Sequence, residues 1–256
     1  MIYNFIKTHQ KGNVFILTLA RPEKRNAFTP TMVSEMAHAL ADADADKSVF
    51  LIEIRAEGPV FCAGMDLHAF QDPTLDKKNP DLKTDPDLSL GSIFEKLNTP
   101  TLCVIDGNVY AGGYMIFLNS TFVLAKQEVQ FSLPEVKLGI FPFQVMAALK
   151  KHLPVAQVLK MCVNSQPFSV EKAIELGLAD DFYSEKTHKE LSKTILSGSP
   201  FAISKGIEAL REIEKREPEE HYVFLKKELE ELKKSKDAQI GLKAWKDKTD
   251  PKWENE

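Results

Sequence analysis

The chain has 256 residues, 43% of them hydrophobic, with a formal net charge of −4 and a pI near 5.9. That length supports one sizeable core with a smaller appendage, and the mild acidity argues against a nucleic-acid partner. The three scattered cysteines, Cys62, Cys103 and Cys162, fit neither a disulfide framework nor a metal site, and no uninterrupted apolar run approaches membrane-spanning length.

The first element is the β-rich, alternating "NVFILTLA" (13–20), read as a strand. "RPEKRNAFTP" breaks it. Thr29 and Pro30 then form a good N-cap and first-turn pair. Met32, Val33, Met36 and Leu40 follow at helical spacing. "VFLIEIR" (49–55) is almost continuously apolar, as a strand covered on both faces would be. Strand, helix, strand predicts a parallel sheet.

Residues 71–87, polar and punctuated by prolines, read as a surface loop. "LSLGSIFEKLN" (88–98) returns to helical spacing, and 101–125 gives strand, turn, short apolar helix and strand. Ser169 opens another helix that Gly177 closes. The text from Pro200 to Lys248 is almost wholly helix-forming, with no strand signal after about residue 133 and no sequence repeat. A basic reading of 226–248 is weakened because Glu alternates with Lys there, as on a solvated helix. The N-terminus lacks the pattern of a secretory signal, and the C-terminal "KWENE" matches no retention or peroxisomal tag. Together these features predict a cytoplasmic protein.

Three features suggest chemistry: "FCAGMDL" with Gly64–Met65, "YAGGYM" with Ala111, Gly112 and Gly113, and "SLPEVKLGIFPF" with Glu135. Glycines at strand-to-helix turns serve backbone geometry first. They also leave free N–H groups where the helix dipole adds partial positive charge, and two such donors aimed at one point stabilise an oxyanion. A carboxylate in apolar surroundings has a raised pKa and is tuned to acid–base work near neutrality. The ordinary reading of Glu135 is a surface or helix-start residue. A dinucleotide-binding reading of "YAGGYM" lacks the required glycine spacing.

"LARPEKRNAFTPTM", "VFCAGMDL", "DGNVYAGGYM", "FSLPEVKLGIFP" and "SVEKAIELGLADDFY" occur in the order found in the crotonase superfamily, the enoyl-CoA hydratase/isomerase family, which the chain resembles over nearly its whole length. The resemblance implies an α/β fold of repeated ββα units. It implies a core domain over 1–195 and a C-terminal helical trimerisation region over 196–256. It also implies an acyl-CoA thioester as substrate, coenzyme A being part of that substrate rather than a cofactor, and a homotrimer or a hexamer built as a dimer of trimers.

By the same resemblance, the N–H groups of Met65 and Gly112 form the oxyanion hole and Glu135 is the catalytic acid–base. Lys24, Arg25, Ala27, Ala63, Asp66 and Leu67 line the coenzyme A path, with Gly64, Gly113 and Pro134 in the same segments. Trp245 and Lys248 match positions that reach a neighbouring subunit's coenzyme A; their ordinary reading is an amphipathic helix packed on the core.

Hydratases of this family use two glutamates, and the second would fall at Met115, which can neither orient a water nor exchange a proton. Phe141, Pro142 and Phe143 replace a small, glycine-rich stretch. One glutamate facing apolar Met115 and Phe143 resembles the enoyl-CoA isomerases. The alternatives are a hydratase with a substitute acid from Asp66 or Glu95, or with a hydroxyl from Tyr110 or Tyr114, and a non-catalytic acyl-CoA- or RNA-binding relative.

Overall fold

Alternating "VFILTL" pairs with a strand that its polar composition hides. A computed structural model, describing residues 1–256, places β1 at Ile6–Lys11 against β2 at Val14–Leu19, antiparallel. β1 carries one buried residue in six, so no apolar period marks it. Helix α1 (Pro30–Ala45) follows, capped by Thr29, whose side chain accepts from the Met32 N–H. It crosses over to β3 (Leu51–Ala56), which runs parallel to β2, as strand–helix–strand order predicts.

The architecture repeats from here. β3 leads to short β4 (Val60–Cys62) and helix α2 (Leu67–Gln71). After α3 (Leu90–Phe94), β5 (Thr101–Ile105) leads to short β6 (Asn108–Tyr110), a 3-10 turn at Ala111–Gly113 and α4 (Tyr114–Phe117). β7 (Phe122–Ala125) leads to short β8 (Gln130–Ser132), a 3-10 turn at Glu135–Leu138 and α5 (Phe143–Leu149). The repeat exists in backbone path and not in sequence.

Each first strand joins one sheet, ordered β1-β2-β3-β5-β7-β10, and each second strand joins another, ordered β4-β6-β8-β9. β10 is Asp181–Phe182 and β9 is Phe168–Ser169. These two-residue strands correct the expectation that strands end near residue 133; two residues are too short to show alternation. β4, β6 and β8 run parallel and adjacent, so their three following turns emerge at one end of the small sheet.

A core of 42 buried residues fills the space between sheets and helices. α6 (Val155–Val163) and α7 (Val170–Glu175) close the core, with Ser169 as the α7 N-cap residue and Gly177, at φ +69°, just past its end. The last part is helical: α8 (Glu185–Ser197), α9 (Pro200–Ile213), α10 (His221–Leu232) and α11 (Lys236–Asp247). Lys233 and Lys234 pair with Glu230 and Glu231, each at 2.7 Å, so the Lys-rich segment is a self-paired surface. The final residues fold back over the surface: Trp253 donates to Ser197 O at 2.9 Å, and Lys47 pairs with Glu256. No helix is long and apolar enough to cross a membrane.

The expectation of a plain surface loop over 71–87 needs correction. Asp76 is buried at the start of α1, accepting from the Thr31 N–H at 3.1 Å and hydroxyl at 2.8 Å. Asn79 is buried too, donating at 2.8 Å to Glu35, which also accepts from the Asn4 and Phe5 N–H groups. Polar composition reads as solvent exposure, yet these groups satisfy a helix start and a chain terminus.

Candidate active site

The two glycine turns touch. Gly64 has φ +86°, and a β-carbon there would lie 2.7 Å from Ala111 Cβ and 3.0 Å from the Gly112 nitrogen. The turn after β4 is zipped to the preceding loop: Ala63 N–H donates to Arg25 O, Phe28 N–H to Gly64 O and Asp66 N–H to Phe28 O, at 3.0, 2.8 and 2.9 Å. Between them, the Met65 N–H has no acceptor in the chain, and neither does the Gly112 N–H. Phe28 lies over the second turn, its Cζ 2.8 Å from where a Gly112 β-carbon would sit. Two unused donors therefore stand side by side where only glycine allows the approach.

The third turn brings Glu135. It is 7% exposed, and its Oε2 is buried without a hydrogen-bond partner. Burial pushes its carboxyl above the usual range, opposed only by a hydrogen bond to its own backbone. Met65, Gly112 and Glu135 all line one cavity of about 440 Å³. Of its 21 lining residues only Glu135 and Gln144 have polar side chains, and Glu135 alone can titrate. Met115 is 4% exposed there and Phe143 is 69% exposed at the rim.

Ala63, Leu67 and Pro134 also line the cavity. Gly64 and Gly113 do not: both are close-packing positions, Gly113 because a β-carbon would lie 2.9 Å from Cys62. Asp66 does not line the cavity either. Its carboxylate is held at 2.7 Å by Arg21 and accepts from the His68 and Ala69 N–H groups, capping α2. Burial would raise its pKa, but Arg21 and these N–H groups outweigh burial and hold it below the usual range. It is a buried ion pair whose carboxylate is engaged and so not free to serve as a second acid.

Glu95 is bound to Lys151 at 2.6 Å and does not line this cavity, nor does Tyr110 or Tyr114. Tyr110 accepts from Asn108 Nδ2 at 3.2 Å, and the Tyr114 hydroxyl is buried without a partner. Burial pushes the Cys62 thiol up to about 12, so it is no nucleophile.

Lys24 and Arg25 are exposed and Ala27 half-buried on the loop before Phe28, outside the cavity lining. Trp245, 82% exposed on α11, and Lys248, which ends that helix at φ +54°, are not among the cavity's lining residues. The face of α11 that packs inward uses Asp237 and Ala244 instead.

Sequence reasoning missed Arg21, Asn26 and Phe28. Asn26, buried at φ +51°, accepts from the Arg21 N–H and donates to Glu57 O and Val60 O, fixing the loop that presents Phe28. An asparagine between a charge run and a turn was the available signal, since Asn tolerates this conformation.

The enoyl-CoA hydratase/isomerase family model matches residues 9–256. The chain belongs to this family. Carnitinyl-CoA dehydratase of Salmonella typhimurium is 28% identical over 256 residues, covering 95% of this chain and 96% of that one. Two solved structures share the fold. An enoyl-CoA hydratase/isomerase from Mycobacterium paratuberculosis has TM-score 0.86 at 22% identity, covering 100% of both chains. An enoyl-CoA hydratase from Mycobacterium tuberculosis H37Rv has TM-score 0.85 at 23% identity, covering 98% of this chain and 99% of that one. The crotonase-like fold expected from the motifs is thus the observed one.

Proposed function

We propose that this enoyl-CoA hydratase/isomerase family enzyme isomerises a 3-enoyl-CoA to the conjugated 2-enoyl-CoA, with Glu135 as its only acid–base. The observation that carries this reading is that Glu135 is the one titratable side chain lining the cavity. The thioester oxygen accepts from the Met65 and Gly112 N–H groups. Glu135 carboxylate removes a proton from C2, the electrons move into the dienolate, and the oxyanion rests on those two donors. The protonated Glu135 returns the proton to C4. The double bond shifts with no other reactant consumed. Met115, Ile140 and Phe141 line the same cavity with apolar side chains, which opposes hydration of the product.

A hydratase needs a second group for the attacking water. Asp66 and Glu95 are both engaged by cations at 2.7 and 2.6 Å. The dehydratase name of the 28% relative favours one further reading: Glu135 alone removes the C2 proton of a 3-hydroxyacyl-CoA and gives it to the departing hydroxyl, releasing water. We assign α9–α11, within 196–256, to trimer formation, with Trp245 and Lys248 reaching a neighbour's coenzyme A and Lys24, Arg25 and Ala27 flanking the chain's own. Purified protein is given a 3-enoyl-CoA, a 2-enoyl-CoA and a 3-hydroxyacyl-CoA, and products are separated. Conversion of the first, lost in Glu135→Gln, supports the isomerase; water addition to the second or loss from the third overturns it.

A further inference from the structure

Beyond the apolar cavity lies a second one, of about 140 Å³, and the two share Met115 and Gln144 as walls. Its character is different. Besides those two, it is lined by Ser89, Ser92, Glu95 and Asn119 together with small residues at Gly91, Ala147 and Ala148. These polar groups form two hydrogen-bonded sets. Ser89 Oγ donates to Gln144 Oε1 at 3.3 Å, and Lys151 donates to both Glu95 Oε1 and Asn119 Oδ1, at 2.6 and 3.0 Å. Asn119 Nδ2 donates to the backbone carbonyl of Met115 at 2.8 Å, placing the second set next to the residue whose side chain lies between the cavities.

Met115 is placed to act as that partition. Its Cε lies 3.3 Å from where a Gly112 β-carbon would stand, and its Sδ lies 3.8 Å from where a Gly91 β-carbon would stand. The thioether therefore spans from the proposed oxyanion donor to the wall of the second cavity. An unbranched methionine with three rotatable bonds can swing aside where a glutamate held by a water could not. A β-carbon at Gly91 would meet Asn119 Nδ2 at 3.6 Å and Met115 Sδ and Ser89 Oγ at 3.8 Å, so this position borders both Met115 and the polar lining.

We propose that the acyl chain of the substrate passes Met115 and ends in this second cavity with an uncharged hydrogen-bonding group, such as a hydroxyl. This rests on the acyl-CoA reading given above. The cavity's charges favour a neutral terminus: its one charged lining residue, Glu95, is already paired with Lys151, so a carboxylate there meets Glu95 and an ammonium finds that carboxylate engaged. A plain methyl terminus would cover these polar groups without replacing their contacts with water.

The test compares 3-octenoyl-CoA with its ω-hydroxy analogue, by kcat/KM, and the saturated counterparts, by calorimetry. The ω-hydroxy compounds are expected to be favoured about fivefold in both, the worth of one net hydrogen bond. In Ala147→Phe, which fills the second cavity, the preference is expected to fall to about one-to-one. Equal or better handling of the plain chain by the unmodified protein overturns the inference, and so does a preference that survives Ala147→Phe. Absence of turnover with intact binding would instead sink the isomerase reading and leave the calorimetric comparison to decide this one. Absence of any acyl-CoA binding overturns both.

Discussion

Gly64 and Gly112 come from different repeats of the chain, yet a β-carbon on Gly64 would stand 3.0 Å from the Gly112 nitrogen. This contact sets the spacing of the two free N–H groups, because Met65 follows Gly64 directly. Gly64→Ala adds a β-carbon at φ +86° and pushes it into Ala111 and that nitrogen. The expected result is a loss of about 10²-fold in kcat, as for one misplaced oxyanion donor, and destabilisation of about 1–3 kcal/mol. Turnover and thermal melting measure both; an unchanged kcat in a folded variant would separate the turn from the chemistry.

Glu135→Gln is expected to lower turnover by about 10²–10⁴-fold and to raise thermal stability at neutral pH. Burial raises the folded pKa of Glu135 above its unfolded value. Such a group adds full stability below the unfolded pKa, and that contribution is lost as pH rises through the folded pKa. The melting difference between variant and parent should therefore shrink towards acid pH. The acid limb of kcat/KM in the parent should lie above the usual glutamate range.

Met115→Glu places a second carboxyl group beside the cavity that holds Glu135. The variant should gain measurable hydration of a 2-enoyl-CoA to the 3-hydroxyacyl-CoA, and lose about 1–3 kcal/mol of stability from the buried acid. Chromatography of the product mixture decides it. A variant that folds and binds but never adds water would show that Met115 is not what separates the two reactions.

Tyr114→Phe removes a buried hydroxyl that has no partner in the chain. Stability is expected to stay level or rise by about 1 kcal/mol, with turnover unchanged. Denaturant unfolding and steady-state rates are the readouts. A fall in kcat with normal stability would mean that the hydroxyl takes part in the reaction.

Asp66→Ala leaves Arg21 buried without its carboxylate and removes the α2 cap. The expected cost is about 3–5 kcal/mol. In the parent, the depressed pKa of Asp66 gives stability that is present above its unfolded pKa and lost as pH falls through the folded one. Acid unfolding followed by circular dichroism should show this step missing in the variant.

How much of this was legible beforehand varied by element. Strong local signals survived intact: apolar β3, the Thr29–Pro30 start of α1 and the Gly177 helix end each depend on neighbours in sequence. β1, with one buried residue in six, and the two-residue β9 and β10 carried no period to read. The polar segment with Asp76 and Asn79 read as solvent-facing because composition does not reveal which orphan N–H a side chain serves.

The sequence by itself determined the family: five ordered motifs span the chain, with Glu135 in the fourth and methionine at position 115 in the third. Only the tertiary structure decided which motif residues meet. The parallel order β4-β6-β8 brings three turns, dozens of residues apart, to one sheet end. It also paired Asp66 with Arg21 and packed Gly113 against Cys62. The physical reason is that a spacing fixes local geometry, whereas burial, pairing and convergence depend on strand neighbours that are distant in sequence.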